Sequence, residues 1–260
     1  MSSTTAVLDS PTADRAAARR PSLVRLTGVE LRKMVDTRAG FWLLVSVVLL
    51  TIAIVVARPF IDGSDLSLRG FFVDSSQVAQ TLLPVVGILL VTSEWSQRTS
   101  LITFALVPQR ARVLAAKLNA GIVLAAAAWV VILAIAAVGT AFAGGDKLGT
   151  AWSLPGWLIG QSALYLAVLM LGGIGLGAVL QSPAPAIVLY FLVPLGFAAL
   201  GAIPALDGLA RWLDGTQTLE PLVNEALGAA QWAHVGTTLA VWMALPIVVG
   251  LWRITRSEIN

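Results

Sequence analysis

The sequence of 260 residues is 57% hydrophobic and only 12% charged. A water-soluble domain carries about 25% charged residues, so this composition excludes an ordinary cytosolic protein and indicates a polytopic membrane protein. The chain has no cysteine, which excludes disulfides, thiolate metal sites and a cysteine nucleophile, and its single histidine leaves little for a metal centre.

The first 21 residues are rich in Ser, Thr, Ala and Arg, and they predict a disordered cytoplasmic tail ahead of a single transmembrane domain at 22–260. Residues 22–37 differ, because four apolar side chains can share one helical face, namely Val24, Leu31, Met34 and Val35. This pattern predicts a short interfacial helix on the inner leaflet. A juxtamembrane basic patch that serves only topology fits the same residues equally well.

Six membrane spans are predicted from the stretches without a charged residue, because a charge at mid-bilayer costs several kcal/mol. Four stretches hold one helix each, since about 20 residues cross roughly 30 Å of hydrocarbon. A fifth stretch, 148–206, is long enough for two helices and contains a break at Pro183 and Pro185. The predicted fold is therefore all-α, with spans near 40–58, 74–93, 118–142, 157–180, 185–203 and 234–252.

The distribution of charge predicts the orientation of these spans, because basic residues concentrate in cytoplasmic segments. Of the 17 Lys and Arg residues, 13 fall in segments 1–38, 94–117 and 253–260, which six spans place on one side. Eight of the 14 acidic residues fall on the other side. Both termini are therefore predicted to be cytoplasmic.

The loop from Glu94 to Lys117 is longer than a simple connection between two spans requires. Its apolar stretch Leu101–Val107 predicts a short amphipathic helix beneath the membrane, suited to docking into a groove of a cytosolic partner. The alternative is that the basic residues only hold the loop inside; these are Arg110, Arg112 and Lys117.

Two further segments have structural interpretations. Gly173 and Gly177 form a GxxxG pair in the fourth span, which predicts close helix packing, with a dimer contact as the alternative. Residues 205–230 alternate acidic and apolar positions, which predicts one or two outer amphipathic helices, or a re-entrant segment, between the last two spans.

The sequence lacks the chemical groups that several classes of function require. No charged residue falls within the predicted hydrocarbon segments, which argues against a proton-driven antiporter. The lone His234 is interpreted as an interfacial residue, and no nucleophile has a histidine and a carboxylate beside it. The sequence contains no GxxxxGK[ST] motif, so the chain does not bind a nucleotide in the P-loop manner.

Several motifs follow one another in a characteristic order and spacing along the chain. A basic pre-helix, Glu30-Leu-Arg-Lys33, runs through Thr37-Arg38 into the first span. The second span ends in Glu94, and the loop after it carries Thr99, Pro108, Arg110 and Lys117. Span four then closes with Leu176–Ser182 before Ala184–Ile187. Together, over most of residues 23–252, these motifs resemble the membrane subunit of ABC-2 type exporters.

The resemblance implies that the chain is no enzyme by itself and holds no cofactor, since a separate ATP-binding subunit would bind ATP and Mg. A second permease, an identical copy or a paralogue, would complete the complex in a bacterial inner (plasma) membrane, with lipid but no nucleic acid as a further partner. The loop would be the coupling helix that receives the ATPase stroke, through Glu94, Arg98, Thr99, Pro108, Arg110 and Lys117. The interfacial helix would use Glu30, Arg32, Lys33 and Arg38.

The chain departs from the family where Arg98, instead of the frequent glycine, precedes Thr99. The resemblance implies outward movement of an amphiphilic or apolar small molecule, lipid or peptide, and leaves its identity open. The pathway is predicted along spans two and five, at Gln77, Gln80, Thr81 and Pro194. The alternatives are a secondary transporter or channel, an intramembrane enzyme, and a membrane immunity or binding protein without transport.

Overall fold

The computed structural model of the chain describes residues 22–96, 110–143, 150–205, 208 and 212–256. The predicted tail at 1–21 and the predicted loop helix Leu101–Val107 lie outside these residues. Within them the chain is helical and contains no strand. The elements in chain order are α1 (Leu23–Asp36), α2 (Arg38–Ala57), a 3₁₀ turn (Arg58–Phe60), α3 (Leu68–Ser96), α4 (Arg110–Phe142), α5 (Gly156–Leu180), α6 (Pro183–Gly201), α7 (Gly215–Leu219), α8 (Pro221–Asn224), α9 (Ala229–Thr238), a π-helical segment (Leu239–Ala244) and α10 (Leu245–Arg256).

Six of the described helices are long and apolar enough to cross a membrane, which confirms the coarse prediction of an all-helical, membrane-embedded chain. They are α2 with the 3₁₀ turn, α3, α4, α5, α6 and the continuous helix Ala229–Arg256, which we call the last span. The predicted break between spans four and five is present, because α5 ends at Leu180 and Pro183 occupies the first turn of α6. Gln181 adopts a left-handed conformation, with φ of 55°, between them.

The ends of two helices differ from the charge-free stretches that predicted them. α3 begins at Leu68, ahead of the predicted start near 74, because the Asp74 carboxylate is paired with Arg58 and does not end the helix. α4 begins at Arg110, ahead of the predicted start at 118, because the ammonium of Lys117 is paired inside the protein. A charge-free stretch therefore underestimates a helix whose terminal charges have partners.

The core lies between α3, α4, α5 and the last span. In α3, 72% of the apolar window is buried, whereas the value for α6 is 6%, so α3 is central and α6 is peripheral. Phe71, Phe72, Leu83 and Ile88 of α3 are among the largest fully buried side chains. α5 packs against α3, α4 and the last span. The main packing partners of α6 among the described elements are α3 and α5.

Candidate functional site

Four charged side chains from three helices form a closed cluster at one end of the helix bundle, which we call the charge ring: Glu30 and Lys33 of α1, Glu94 of α3 and Lys117 of α4. Lys33 Nζ lies 2.8 Å from Glu30 Oε1 and 2.6 Å from Glu94 Oε1. Lys117 Nζ lies 2.6 Å from Glu30 Oε2 and 3.1 Å from Glu94 Oε1. Each ammonium therefore bridges both carboxylates, and the ring is formally neutral.

Lys117 is the buried anchor of the ring. Only 3% of the surface of Lys117 is exposed, and the values for its partners Glu30 and Glu94 are 4% and 5%. The ammonium also donates to the carbonyl oxygen of Leu90 at 2.9 Å, so its three N–H groups match three oxygen partners. A buried charge is costly unless it is paired and fully hydrogen-bonded, and Lys117 meets both conditions.

Lys33 is the ring member in contact with solvent, because 38% of its side-chain surface is exposed. Burial lowers the pKa of Lys33, but the charge of Glu30 and hydrogen bonds to Glu30 and Glu94 outweigh this and raise it above its ordinary value. A lysine whose pKa is higher in the folded than in the unfolded protein stabilises the fold at every pH below its unfolded-state pKa. That stabilisation is lost as the pH rises through the pKa of the folded state. Lys33 therefore stays charged at neutral pH.

The position of α1 explains why Glu30 is buried. Ser22 caps this helix by accepting a hydrogen bond from the Arg25 amide at 3.2 Å, and α1 then packs mainly against α4. Glu30 and Met34, one turn apart, form the buried face. The predicted apolar face is therefore divided, because Met34 faces the bundle while Val24 and Val35 are exposed.

The other residues predicted for the interfacial helix lie outside the ring. Arg32 faces solvent and forms an exposed pair with Asp36 at 3.8 Å. Arg38 is exposed at the first position of α2. A cavity of about 450 Å³ lies at the junction of α1 and α2, lined by Asp36, Thr37, Arg38, Ala39, Gly40, Leu89 and Ser93.

The predicted coupling residues are distributed unevenly over the described part of the chain. Glu94 and Lys117 belong to the ring, whereas Arg98, Thr99 and Pro108 lie outside the described residues. Arg110 Nη1 donates to the carbonyl oxygen of Ile254 at 2.7 Å, which ties the start of α4 to α10. The charge ring thus joins α3 and α4 to each other and to α1, and Arg110 joins α4 to α10.

A second charged layer lies at the opposite end of α3. Arg58, 8% exposed, forms an ion pair with Asp74 and donates from Nε to the carbonyl oxygen of Asp65 at 2.8 Å. Asp74 and Glu94 are 20 residues apart in α3, a rise of about 30 Å. This spacing equals the hydrocarbon thickness of a typical bilayer, so the two charged layers lie where the two membrane surfaces would be.

Residues 212–225, between α6 and the last span, pack against α3 and α5 near this second layer. Asp214 caps α7 by accepting from the Thr216 amide at 2.9 Å. Arg69 of α3 donates to the carbonyl oxygen of Asn224 at 3.0 Å, and Gln161 of α5 donates to that of Glu225 at 3.2 Å. Two short helices, α7 and α8, lie within 205–230, and an outer amphipathic or re-entrant character of this segment stays a prediction.

The predicted pathway residues differ in their exposure, and their role in a pathway stays a prediction. Gln77 and Thr81 are the exposed residues of α3 between 71 and 95, and they lie about one turn apart. Gln80 is half-buried, and its Nε2 atom has no hydrogen-bond partner among the described residues. Pro194 lies within α6 and is half-buried. The exposed positions of the most buried span are therefore polar.

The predicted packing glycines lie at the contact between α5 and α3. A Cβ atom on Gly173 would collide with the carbonyl oxygen of Pro84, and one on Gly177 would lie 3.0 Å from that of Ile88. Gly87 of α3 approaches the carbonyl oxygen of Met170 in the same way, at 2.6 Å from a Cβ position. The GxxxG pair thus lies where α5 and α3 approach each other closely within one chain.

Replacing Arg58 by methionine is expected to lower the free energy of unfolding by about 1–3 kcal/mol, because the Asp65 carbonyl and the Asp74 carboxylate each lose a donor. The measurement is thermal or chemical unfolding of the purified protein in mild detergent. The matched control is Arg25→Met on α1, where the residue is exposed, with an expected change within about 0.5 kcal/mol. Equal stability of the two variants would contradict a structural role for Arg58.

Sequence reasoning named all four ring residues but assigned them to two separate elements. Two of the chain's three lysines, Lys33 and Lys117, occupy the ring, and a compact ammonium with three donors fits between two carboxylates better than a planar guanidinium does. The rarity of lysine in an arginine-rich chain was the available signal. No protein-family model and no curated protein match this chain.

Proposed function

We propose that the chain is the membrane subunit of an ATP-driven exporter of the ABC-2 type, with both termini cytoplasmic. The observation that carries the proposal is the charge ring, which fastens together the two helices that flank residues 97–109. A force applied to that loop by a cytosolic partner would act on α3 and α4 as one body, because Glu94 and Lys117 join them just inside the bundle.

The energy source in this proposal is a separate ATP-binding subunit, which holds ATP and Mg. The described residues offer no group of three or more His, Cys, Asp or Glu side chains that could hold a metal ion, and both ring acids are paired with lysines. In this proposal the membrane subunit contributes the movement that ATP hydrolysis drives. A second permease, identical or paralogous, completes a complex in the bacterial plasma membrane.

The transported molecule in this proposal is amphiphilic or apolar: a small molecule, a lipid or a peptide. Gln77 and Thr81 supply hydrogen-bonding groups on an otherwise apolar helix, and the unpaired amide nitrogen of Gln80 lies beside them in sequence. α6, the least buried span, carries Pro194 and is open to a second subunit or to lipid. This composition suits a molecule with both apolar and polar parts.

The test is co-purification of the chain in mild detergent with an ATPase subunit, sought first in the gene beside its own. We expect a stable complex whose ATP hydrolysis is stimulated by the membrane subunit. Replacing Arg98 and Thr99 together by alanine should lower transport-coupled hydrolysis about 5- to 150-fold, the usual range of coupling between two sites. The matched control is Arg25→Ala, at an exposed position of α1, which should leave hydrolysis unchanged.

Two outcomes would contradict the proposal. The first is the absence of any associated ATPase when the chain is well folded. The second is transport that continues without ATP and stops when the proton gradient is collapsed, which would favour a secondary transporter.

A further inference from the structure

The structure places α1 between the loop-flanking helices and the first span. Glu30 ties α1 to Lys117 of α4 at 2.6 Å, and Lys33 ties α1 to Glu94 of α3 at 2.6 Å. Both attachments come from one turn of α1, so a shift of α3 and α4 at this end must carry α1 with it or break the ring. The ring therefore has two separable parts, the Glu94–Lys117 pair and the attachment of α1.

A tight elbow joins α1 to the first span. Thr37 is the single residue between α1 and α2, and its hydroxyl donates to the carbonyl oxygen of Met34 at 3.3 Å. Gly40 lies against the same turn: a Cβ atom there would collide with the Met34 carbonyl oxygen and lie 2.7 Å from Thr37 Oγ1. The Gly40 backbone therefore packs closely on the last turn of α1, so a rotation of α1 would also displace α2.

We infer that Glu30 and Lys33 are positioning residues of the coupling machinery, through which α1 transmits movement of the loop-flanking helices to the first span. The path runs from the adjoining ends of α3 and α4 through the charge ring to α1, and through the Gly40 elbow to α2. This inference rests on the proposed function, since the stroke at the loop comes from the ATPase subunit. It assigns α1 a mechanical role that does not depend on its contact with lipid.

If the ring only stabilises the fold, breaking the attachment of α1 should not change coupling between ATP hydrolysis and transport. A variant that keeps the ring neutral distinguishes this role from the coupling role. Glu30→Gln with Lys33→Gln removes one acid and one base, so no charge in the ring loses its counter-charge. Lys117 keeps Glu94 at 3.1 Å and the Leu90 carbonyl oxygen at 2.9 Å, so α3 and α4 stay joined. The matched control is Arg32→Gln with Asp36→Asn, which removes an exposed pair from the same helix.

The functional readout is substrate exported per ATP hydrolysed by the complete complex in vesicles. We expect Glu30→Gln/Lys33→Gln to lower this ratio about 5- to 150-fold with the ATPase still bound, and the control pair to leave it unchanged. Gly40→Ala should lower the ratio similarly although it leaves the ring intact, and Gly28→Ala, where no atom lies within 4 Å of the new Cβ, should not. A normal ratio in the ring variant overturns the inference while the proposed function stands.

A second readout tests the attachment of α1 without any ATPase. The chain has no cysteine, so spin labels can be attached at two introduced cysteines alone, Arg25→Cys on α1 and Ile122→Cys at an exposed position of α4. Their separation reports the position of α1 relative to α4. We expect a narrow distance distribution in the background protein and a broad one when Glu30 and Lys33 are also replaced. An unchanged narrow distribution overturns the inference even if no exporter complex exists, so its failure is distinguishable from failure of the proposed function.

Discussion

Replacing Lys117 by methionine is expected to destabilise the folded protein by about 3–5 kcal/mol, the usual effect of removing one partner from a buried ion pair. Methionine resembles the aliphatic part of lysine in size, so the change isolates the ammonium. Without it, the Glu30 and Glu94 carboxylates share only Lys33, and the Leu90 carbonyl oxygen loses its donor. Two buried acids then face each other with one counter-charge. The measurement is reversible unfolding in detergent or bicelles.

Two further variants show whether charge or shape causes the loss. Lys117→Arg keeps the charge, but a planar guanidinium does not reproduce three contacts from one nitrogen, so we expect an intermediate loss of stability. Adding Glu30→Gln to Lys117→Met restores neutrality and should recover part of the stability, because no unpaired buried charge is left. Wild-type stability in Lys117→Met would show that the ring does not stabilise the fold.

The predicted spans and the structure agree well at the break between spans four and five. α5 ends before left-handed Gln181 and Pro183 begins α6 as predicted, because proline fits the first turn of a helix, whereas Pro84 and Pro194 lie inside continuous helices. The helix ends at Leu68 and Arg110 could not be predicted from charge alone, since Asp74 and Lys117 have partners distant in sequence. Pairing over such distances depends on tertiary packing, which a local charge count omits.

The candidate site shows the same division between local and distant information. Glu94 and Lys117 stand out in the sequence because they bound the predicted loop that carries the most basic residues, and the sequence groups Glu30 with Lys33 in one helix. The two pairs come together because α1 packs on α4. The sequence indicates this packing only through the incomplete amphipathic pattern of α1. The interfacial-helix interpretation of that pattern made lipid the partner of the whole apolar face, whereas Met34 is buried in protein.

Gly173→Val is expected to destabilise the protein by about 3 kcal/mol, at the upper end of the range for overpacking a core. The new Cβ would meet backbone atoms of Pro84, including its Cα at 2.9 Å, and a backbone cannot yield by changing rotamer as a side chain can. Gly87 makes the reciprocal approach to α5, so the two helices have no space in which to separate locally. The loss should appear as a lower unfolding temperature in detergent.

Gly160→Val in the same helix is the matched control, because Gly160 is exposed and no atom lies within 4 Å of its Cβ position. Its stability should change by less than about 0.5 kcal/mol. The oligomeric state of Gly173→Val separates packing within one chain from a dimer contact. Packing of α5 on α3 predicts lost stability at an unchanged oligomeric state, whereas a stable variant that dissociates into monomers would show that Gly173 contacts a second chain.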